Sequence, residues 1–315
     1  MKNIINHRKL DEVALAPFAQ RITKDKIDTC LISEKSLTVL QYYKNRKMAE
    51  KLHKVNSVTK SVLSILVGIA IDQGAIAGID QPIRDFLPNC PQDKQELTIE
   101  HLLTMTPGFD WPEFGAWGGR PFPMINSKDW VQFVLERDML TSPGQTMFYN
   151  SGCSHLLSAI VQKAVGMSLT QFAERQLFKP LGIQEYDWHI DSKGIIIGGF
   201  GLSLKARDML NIGRLMLLEG VWKEQRIVSA EWVQASSLAG FHTHSKIGAY
   251  GYHWWILADE SGHPVEPYTY FAMGYGGQYI IVVPKHELVV SMTSELYRDT
   301  FRPLSYFREL ILPIL

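Results

Sequence analysis

Residues 55–74 read VNSVTKSVLSILVGIAIDQG, and the reading of this stretch decides the fold. From Val58 the residues are mostly apolar and run to Gly74, which predicts a buried helix closed by a C-terminal glycine. Asn56 or Ser57 would serve as its N-cap. Lys60 then falls in the first turn, at the positive end of the macrodipole, where a cation is disfavoured. Ser57 and Lys60 share a face of that helix, so hydroxyl and amine can meet within hydrogen-bond reach. The helix N-terminus would stabilise an alkoxide developing on Ser57, and the same potential, with burial, would depress the pKa of Lys60. A lysine so discharged can accept a proton. Ser57 is therefore a candidate nucleophile and Lys60 its candidate base.

The rest of the composition narrows the class. Lysine plus arginine equals aspartate plus glutamate at 32 each in 315 residues, so no global field draws the chain to nucleic acid or to an anionic membrane. Apolar residues at 46% and charged residues at 20% are ordinary for a soluble globular protein. The N-terminal stretch MKNIINHRKLDEVALAPFAQRITKD has no apolar region of signal-peptide length, and VLSILVGIAI is too short to span a bilayer. The expectation is a cytoplasmic protein. Cys30, Cys90 and Cys153 form neither a disulfide framework nor a zinc pattern.

Along the chain, residues 7–24 read as an amphipathic helix, and DTCLISEKSLTVLQYYKN as two strands joined at Ser33–Ser36. After Gly74 come a turn-rich link, a short helix ending at Pro107, a glycine-, proline- and aromatic-rich loop over 109–124, and helices at about 127–138, 152–165 and 168–178. No strand is expected until about residue 195. A helix follows over Leu204–Gly220, then strands in GYHWWILAD, YTYFAMG and GQYIIVVPKHELVVSMTS, the last broken by a hairpin turn at Pro284–Glu287, and a closing helix over about 300–313. The fold class is α/β plus all-α. An antiparallel sheet built from both chain ends and flanked by helices (1–75 and 195–315) carries an inserted, mainly helical domain (76–194), with the ligand site in the cleft between them.

Two further motifs carry chemistry. In FYNSGCSHLLSAIV, Tyr149 stands at a helix start, where it could hydrogen-bond to Ser57 and Lys60 and, with a lowered pKa, relay a proton to a leaving group; packing is the other reading. Asn150 or Ser151 would cap the helix. In MGYGGQYIIVVP, glycines before a strand permit close approach, and an early strand N–H could join that of Ser57 as an oxyanion hole; a plain tight turn is the alternative. Trp111, Trp117, Phe109, Phe114 and Phe122 in the aromatic loop, with Trp254 and Trp255, suggest a pocket wall for an apolar acyl or aryl group. The histidines 242, 244 and 253, and the set Asp187, His189 and Asp191, match no metal-ligand spacing. The run GGFG at 198–201 lacks the lysine of a phosphate loop and reads as a turn beside the cleft. No Gly-x-Ser-x-Gly elbow occurs.

Ser57-x-x-Lys60, Tyr149-x-Ser151 and Tyr275-Gly276-Gly277, in this order and spacing, resemble the serine β-lactamase-like superfamily, most of all its class C branch. That branch holds class C β-lactamases, D-stereospecific peptidases, family VIII carboxylesterases and 6-aminohexanoate-dimer hydrolase. HLLTMTPGF, SPGQTMFYNSGCSHLLSAIV, LFKPLGI, GGFGLSLKARDMLNIGRLML and YGYHWWI extend the likeness over nearly the whole chain. The resemblance implies a β-lactamase/transpeptidase-like fold, an acyl-enzyme on Ser57, and Lys60 and Tyr149 as acid–base pair. It implies an oxyanion hole from the N–H groups of Ser57 and Gln278, and substrate contacts from Ser151, Tyr275, Gly276 and Gly277, to which Trp111 and Trp117 would add.

Two positions depart from the family pattern. Ser151 stands where asparagine is common, and Tyr275 where lysine or histidine is common. A tyrosine offers a carboxylate a hydroxyl but no charge, and a charge-assisted hydrogen bond is roughly twice as strong as a neutral one. The expected activity is therefore hydrolysis of an ester or amide lacking that anion. The alternatives are a penicillin-binding D-amino-acid peptidase or β-lactamase, and a non-catalytic binding or filament-forming relative. The expected partner is a small-molecule ester, amide or short peptide, with no metal, organic cofactor, nucleic acid or membrane.

Overall fold

Alternation along the long strands of the sheet sends side chains to two cores. Leu31, Ile280, Val282 and Val289 enter one, whereas Cys30, Ile32, Tyr279, Ile281, Val290 and Met292 enter the other. These assignments come from a computed structural model that describes residues 10, 12–35, 37–244 and 247–315. The first strands are β1 (Ile27–Glu34) and β2 (Leu37–Tyr43). Short pieces follow: β3 (His53–Lys54), β4 (Asp187–Trp188) and β5 (Leu202–Leu204) make a small antiparallel sheet, and β6 (Val221–Trp222) pairs with β7 (Gln225–Arg226). The last six are β8 (Phe241–His244), β9 (Gly248–Tyr250), β10 (Trp255–Ile256), β11 (Tyr270–Gly274), β12 (Gln278–Val283) and β13 (Leu288–Ser294). They join β1 and β2 in one eight-stranded antiparallel sheet of order β2-β1-β13-β12-β11-β10-β9-β8. Cys30 lies opposite both Met292 and Tyr42, so the first strand closes against the last.

Helices cover both faces. Helix α1 (Glu12–Thr23) sends Leu15, Phe18 and Ile22 into one core, where the C-terminal helical segment adds Leu304, Phe307 and Ile311. On the other face the Ala206–Leu217 helix lies so close that a Cβ on Gly213 would come within 2.4 Å of Val289. Helix α2 (Val58–Asp72) packs between this sheet and the Ser151–Val165 helix, and every residue from Val58 to Ala70 is buried. That central position explains why α2 is mostly apolar, with no polar face turned to solvent before its last turn. Among the described residues no helix is long and apolar enough to cross a membrane.

The elements depart from expectation mainly at their ends. The first helix starts at Glu12; residues 7–9 and 11 of the expected helix, and Ser36 of the expected strand junction, lie outside the described residues. The helix expected to end at Pro107 spans Ile99–Leu103, and that of about 127–138 spans Trp130–Leu135. The helix expected over 168–178 runs on through a π-helical turn to Leu181. Strand β4 precedes residue 195, contrary to expectation, and β3 was not expected either, because two residues carry no readable alternation.

Candidate active site

Asn56 adopts the left-handed region (φ 49), and its carbonyl accepts both Thr59 N (3.1 Å) and Thr59 Oγ1 (2.6 Å). This turn feeds the chain into α2 with Ser57 already helical (φ −71, ψ −3), so the Ser57 hydroxyl makes no capping bond. It is left for Lys60, whose Nζ lies 3.2 Å from Ser57 Oγ. The same Nζ donates to Ser151 Oγ (3.2 Å) and to Gly199 O (2.6 Å). Lys60 is 1% exposed and makes no ion pair among the described residues. Burial lowers its pKa to about 8, against the opposing pull of Glu113 and Cys153. The ring of Tyr149 covers the amine, with its centroid 4.8 Å from Nζ, and Trp255 stacks on that ring at 6.0 Å.

Tyr149 corrects one expectation. Burial, aided by the negative charge of Glu113, pushes its phenol well up, and a hydrogen bond with Ser57 only partly offsets this. The lysine does not acidify it. At neutral pH it is a protonated donor.

Glu113, which the sequence reading passed over, lies at the back of this cluster. The Glu113 carboxylate is 3% exposed and accepts from Trp111 Nε1 (2.8 Å), Ser151 N (2.8 Å) and Ser151 Oγ (2.7 Å). Trp111 therefore supports Glu113 from the core instead of meeting substrate. Trp117 packs edge-on against Trp111 at 4.7 Å, with Arg137 over its ring. Neither tryptophan lines the cleft, because Trp111 is buried against Phe133 and the start of the Ser151–Val165 helix, and Trp117 packs, half-buried, beside it. The same holds for Trp254, fully buried, whereas Trp255 does face the cleft. The cleft holds about 420 Å³, bordered by Ser57, Phe114, Tyr149, Trp255, Tyr275 and Phe301. Its walls are aromatic, as the composition suggested: of the expected rings Phe114 and Trp255 face it, joined by Tyr149, Tyr275 and Phe301.

The third motif forms the turn between β11 and β12. Asn56 Nδ2 donates to Tyr275 O (2.6 Å), tying this turn to the start of α2. Gly277 needs its φ of 85 and its missing side chain, since a Cβ would come within 2.3 Å of Ser294 Oγ. Gln278 opens β12, and its side chain donates to Ser294 O (2.7 Å). Tyr275 is 45% exposed at the cleft rim, and the Arg120 guanidinium lies over its ring at 5.7 Å.

The GGFG run is part of the site after all, through the Gly199 carbonyl. His253 is a clamp. Its Nδ1 donates to Leu103 O (2.9 Å), which leaves Nε2 to accept from Ser154 Oγ (3.0 Å), while its own carbonyl accepts from Ser61 Oγ (2.7 Å). Burial, then the charge of Lys60, lowers its pKa to about 3, so it ties α2 to the Ser151–Val165 helix as a neutral ring. Asp191 is engaged by buried His155 (3.1 Å), and Asp187 by His189 (3.1 Å). No cluster of three or more metal-ligating side chains occurs among the described residues.

A cleft-lining serine hydrogen-bonded to a buried lysine, with a neutral tyrosine beside it, can act as a proton-transfer device built around a hydroxyl. In comparison with known proteins, the family model for Beta-lactamase matches residues 40–306. The chain belongs to the Beta-lactamase family. Among its relatives in the serine β-lactamase-like superfamily is the 6-aminohexanoate-dimer hydrolase of Paenarthrobacter ureafaciens, 25% identical over 309 residues, covering 90% of this chain and 76% of that one. Two solved structures share its fold. EstCE1, a hydrolase with promiscuous acyltransferase activity, has a TM-score of 0.75 at 17% identity, covering 96% of both chains. The class C β-lactamase from Rhodobacter sphaeroides has a TM-score of 0.72 at 17% identity, over 96% of this chain and 99% of that one. Membership of this family carries serine-hydrolase chemistry in general, without fixing a substrate.

Proposed function

We propose that this chain hydrolyses an ester or amide through an acyl-enzyme on Ser57. The observation that carries the reading is a lysine buried beside a serine hydroxyl, with its pKa lowered to about 8. Neutral Lys60 takes the Ser57 proton as Oγ attacks the carbonyl carbon. The oxyanion is held by the N–H groups of Ser57 and Gln278. The leaving oxygen or nitrogen receives a proton from the Lys60–Tyr149 pair, and a water molecule then cleaves the acyl-enzyme with Lys60 again as base. Removing one oxyanion donor from such a site typically costs about 2.7–4 kcal/mol of transition-state stabilisation.

The aromatic walls favour an apolar acyl or aryl group. A peptidase- or β-lactamase-like reading has one observation in its favour: Arg120 over Tyr275 places a cation at the rim where the third motif lacks one. Intact-protein mass spectrometry separates the two. A fluorophosphonate probe is expected to add once, on Ser57, and a penicillin not at all. A stable penicilloyl adduct would move the peptidase reading to the front, and an unlabelled protein would sink the hydrolase altogether.

A further inference from the structure

We infer that Glu113 is a positioning residue that aims the lone pair of Lys60 at Ser57, acting through the hydroxyl of Ser151. The inference rests on the Ser57–Lys60 reading above and follows from counting protons. A carboxylate only accepts hydrogen bonds, so the Ser151 Oγ–H must point at Glu113 Oε1, 2.7 Å away. Ser151 Oγ can then meet Lys60 Nζ only as an acceptor, at 3.2 Å. The Gly199 carbonyl, at 2.6 Å, is also an acceptor alone. A neutral lysine has two N–H bonds and one lone pair. With both N–H bonds held by Ser151 and Gly199, the lone pair is left facing Ser57 Oγ, the third neighbour.

Without Glu113 the Ser151 hydroxyl is free to rotate and donate to the Lys60 lone pair, which would occupy the base. Glu113→Gln should enforce this state. The two N–H donors that converge on Oε2, Trp111 Nε1 and Ser151 N, would select the amide oxygen. The amide NH₂ would then face Ser151 Oγ, donate to it, and turn its proton toward Lys60. The protein keeps its shape and the base loses its free electron pair.

The test uses p-nitrophenyl butyrate with wild type, Glu113→Gln, Glu113→Asp, Ser151→Ala and the Glu113→Gln/Ser151→Ala double variant. Glu113→Gln is expected to lower kcat roughly 10- to 100-fold with KM little changed, within the usual range of general-base effects. Glu113→Asp, which keeps a carboxylate, should retain more. Ser151→Ala removes the competing hydroxyl and should cost less than Glu113→Gln, and the double variant should turn over like Ser151→Ala alone. The charged and titratable groups facing Lys60 are Glu113, Cys153, the protonated phenol of Tyr149 and neutral His253. Loss of the Glu113 charge should therefore move the acid limb of the rate profile to lower pH even as the plateau falls. Simple loosening would hydrate Lys60 and move the limb up.

A wild-type kcat in Glu113→Gln, multiplied losses in the double variant, or a Ser151→Ala loss as deep as that of Glu113→Gln would each overturn the inference. If Glu113→Gln does not fold, Ser151→Ala against Glu113→Asp decides: a Ser151→Ala variant much slower than Glu113→Asp sinks it. Fluorophosphonate labelling of wild-type Ser57 separately tests the reading beneath, so the two failures are distinct.

Discussion

The two 15-residue helices at the centre of the molecule begin in opposite ways. The Ser151–Val165 helix has Asn150 as its N-cap in extended conformation (φ −144, ψ 105), with Oδ1 accepting from Gly152 N (2.8 Å) and Cys153 N (3.2 Å). Helix α2 has a serine at the same place, yet its side chain caps nothing. Its first N–H groups turn instead to backbone carbonyls three residues back: Val58 to Val55, Thr59 to Asn56 and Lys60 to Ser57. The left-handed Asn56 makes that turn possible. One polar side chain completes a helix. The other makes no such bond and is left to the Lys60 amine.

The difference is broken most deeply at Ser57. Ser57→Ala should reduce p-nitrophenyl butyrate turnover at least 10³-fold, the scale seen when a catalytic nucleophile is removed. Lys60→Met should cost roughly 10²- to 10⁴-fold, as loss of a general base does. The Lys60→Met protein should melt no lower than wild type, because an apolar side chain of similar length replaces a buried amine without a carboxylate partner. Residual turnover near wild type in either purified variant would end the mechanism.

A smaller effect comes from pH. Lys60 must be neutral to act, and its pKa is lowered to about 8. The rate should therefore fall as pH drops through about 8 and level off above it. The sign follows from protonation removing the base. A profile flat between about pH 6 and 10 would show that Lys60 is not the titrating base.

How far the sequence carried this account depends on whether a feature is local. Ser57 and Lys60 are three residues apart on one helix, so their meeting is legible from spacing alone. Tyr149 and Ser151 were legible by motif, but the direction of the Tyr149 shift was not, since it comes from burial under Phe114 and Trp255. Glu113 was illegible for the same reason. A single acid in an aromatic loop gives no sign that Trp111 and Ser151, 38 residues downstream, will close around it. Loop composition announced an aromatic wall, yet only packing decides which rings face in: Trp111 went to the core and Trp117 packs half-buried against it. The long strands were readable as apolar runs bounded by turns, whereas β3 and β4 have two residues each and exist because β5 lies between them.

The smallest expected effect is thermodynamic, and it tests the comparison of helix starts directly. Replacing a capping asparagine by alanine typically costs about 1 kcal/mol, within roughly 0.5–2. Asn150→Ala removes both bonds to Gly152 and Cys153 in a fully buried setting, so it should fall toward the upper part of that range. Ser57→Ala removes no cap bond, only the contacts of its hydroxyl with Lys60 and Tyr149, and should cost about 0.5 kcal/mol of unfolding free energy, the low end of a hydrogen bond's net worth. Urea unfolding of the two variants should thus rank them opposite to their activities: Asn150→Ala less stable but still turning over, Ser57→Ala stable and inactive. If Ser57→Ala were instead destabilised as much as Asn150→Ala, the Ser57 hydroxyl would be holding the helix start together. Helix α2 would then not leave its serine free for chemistry.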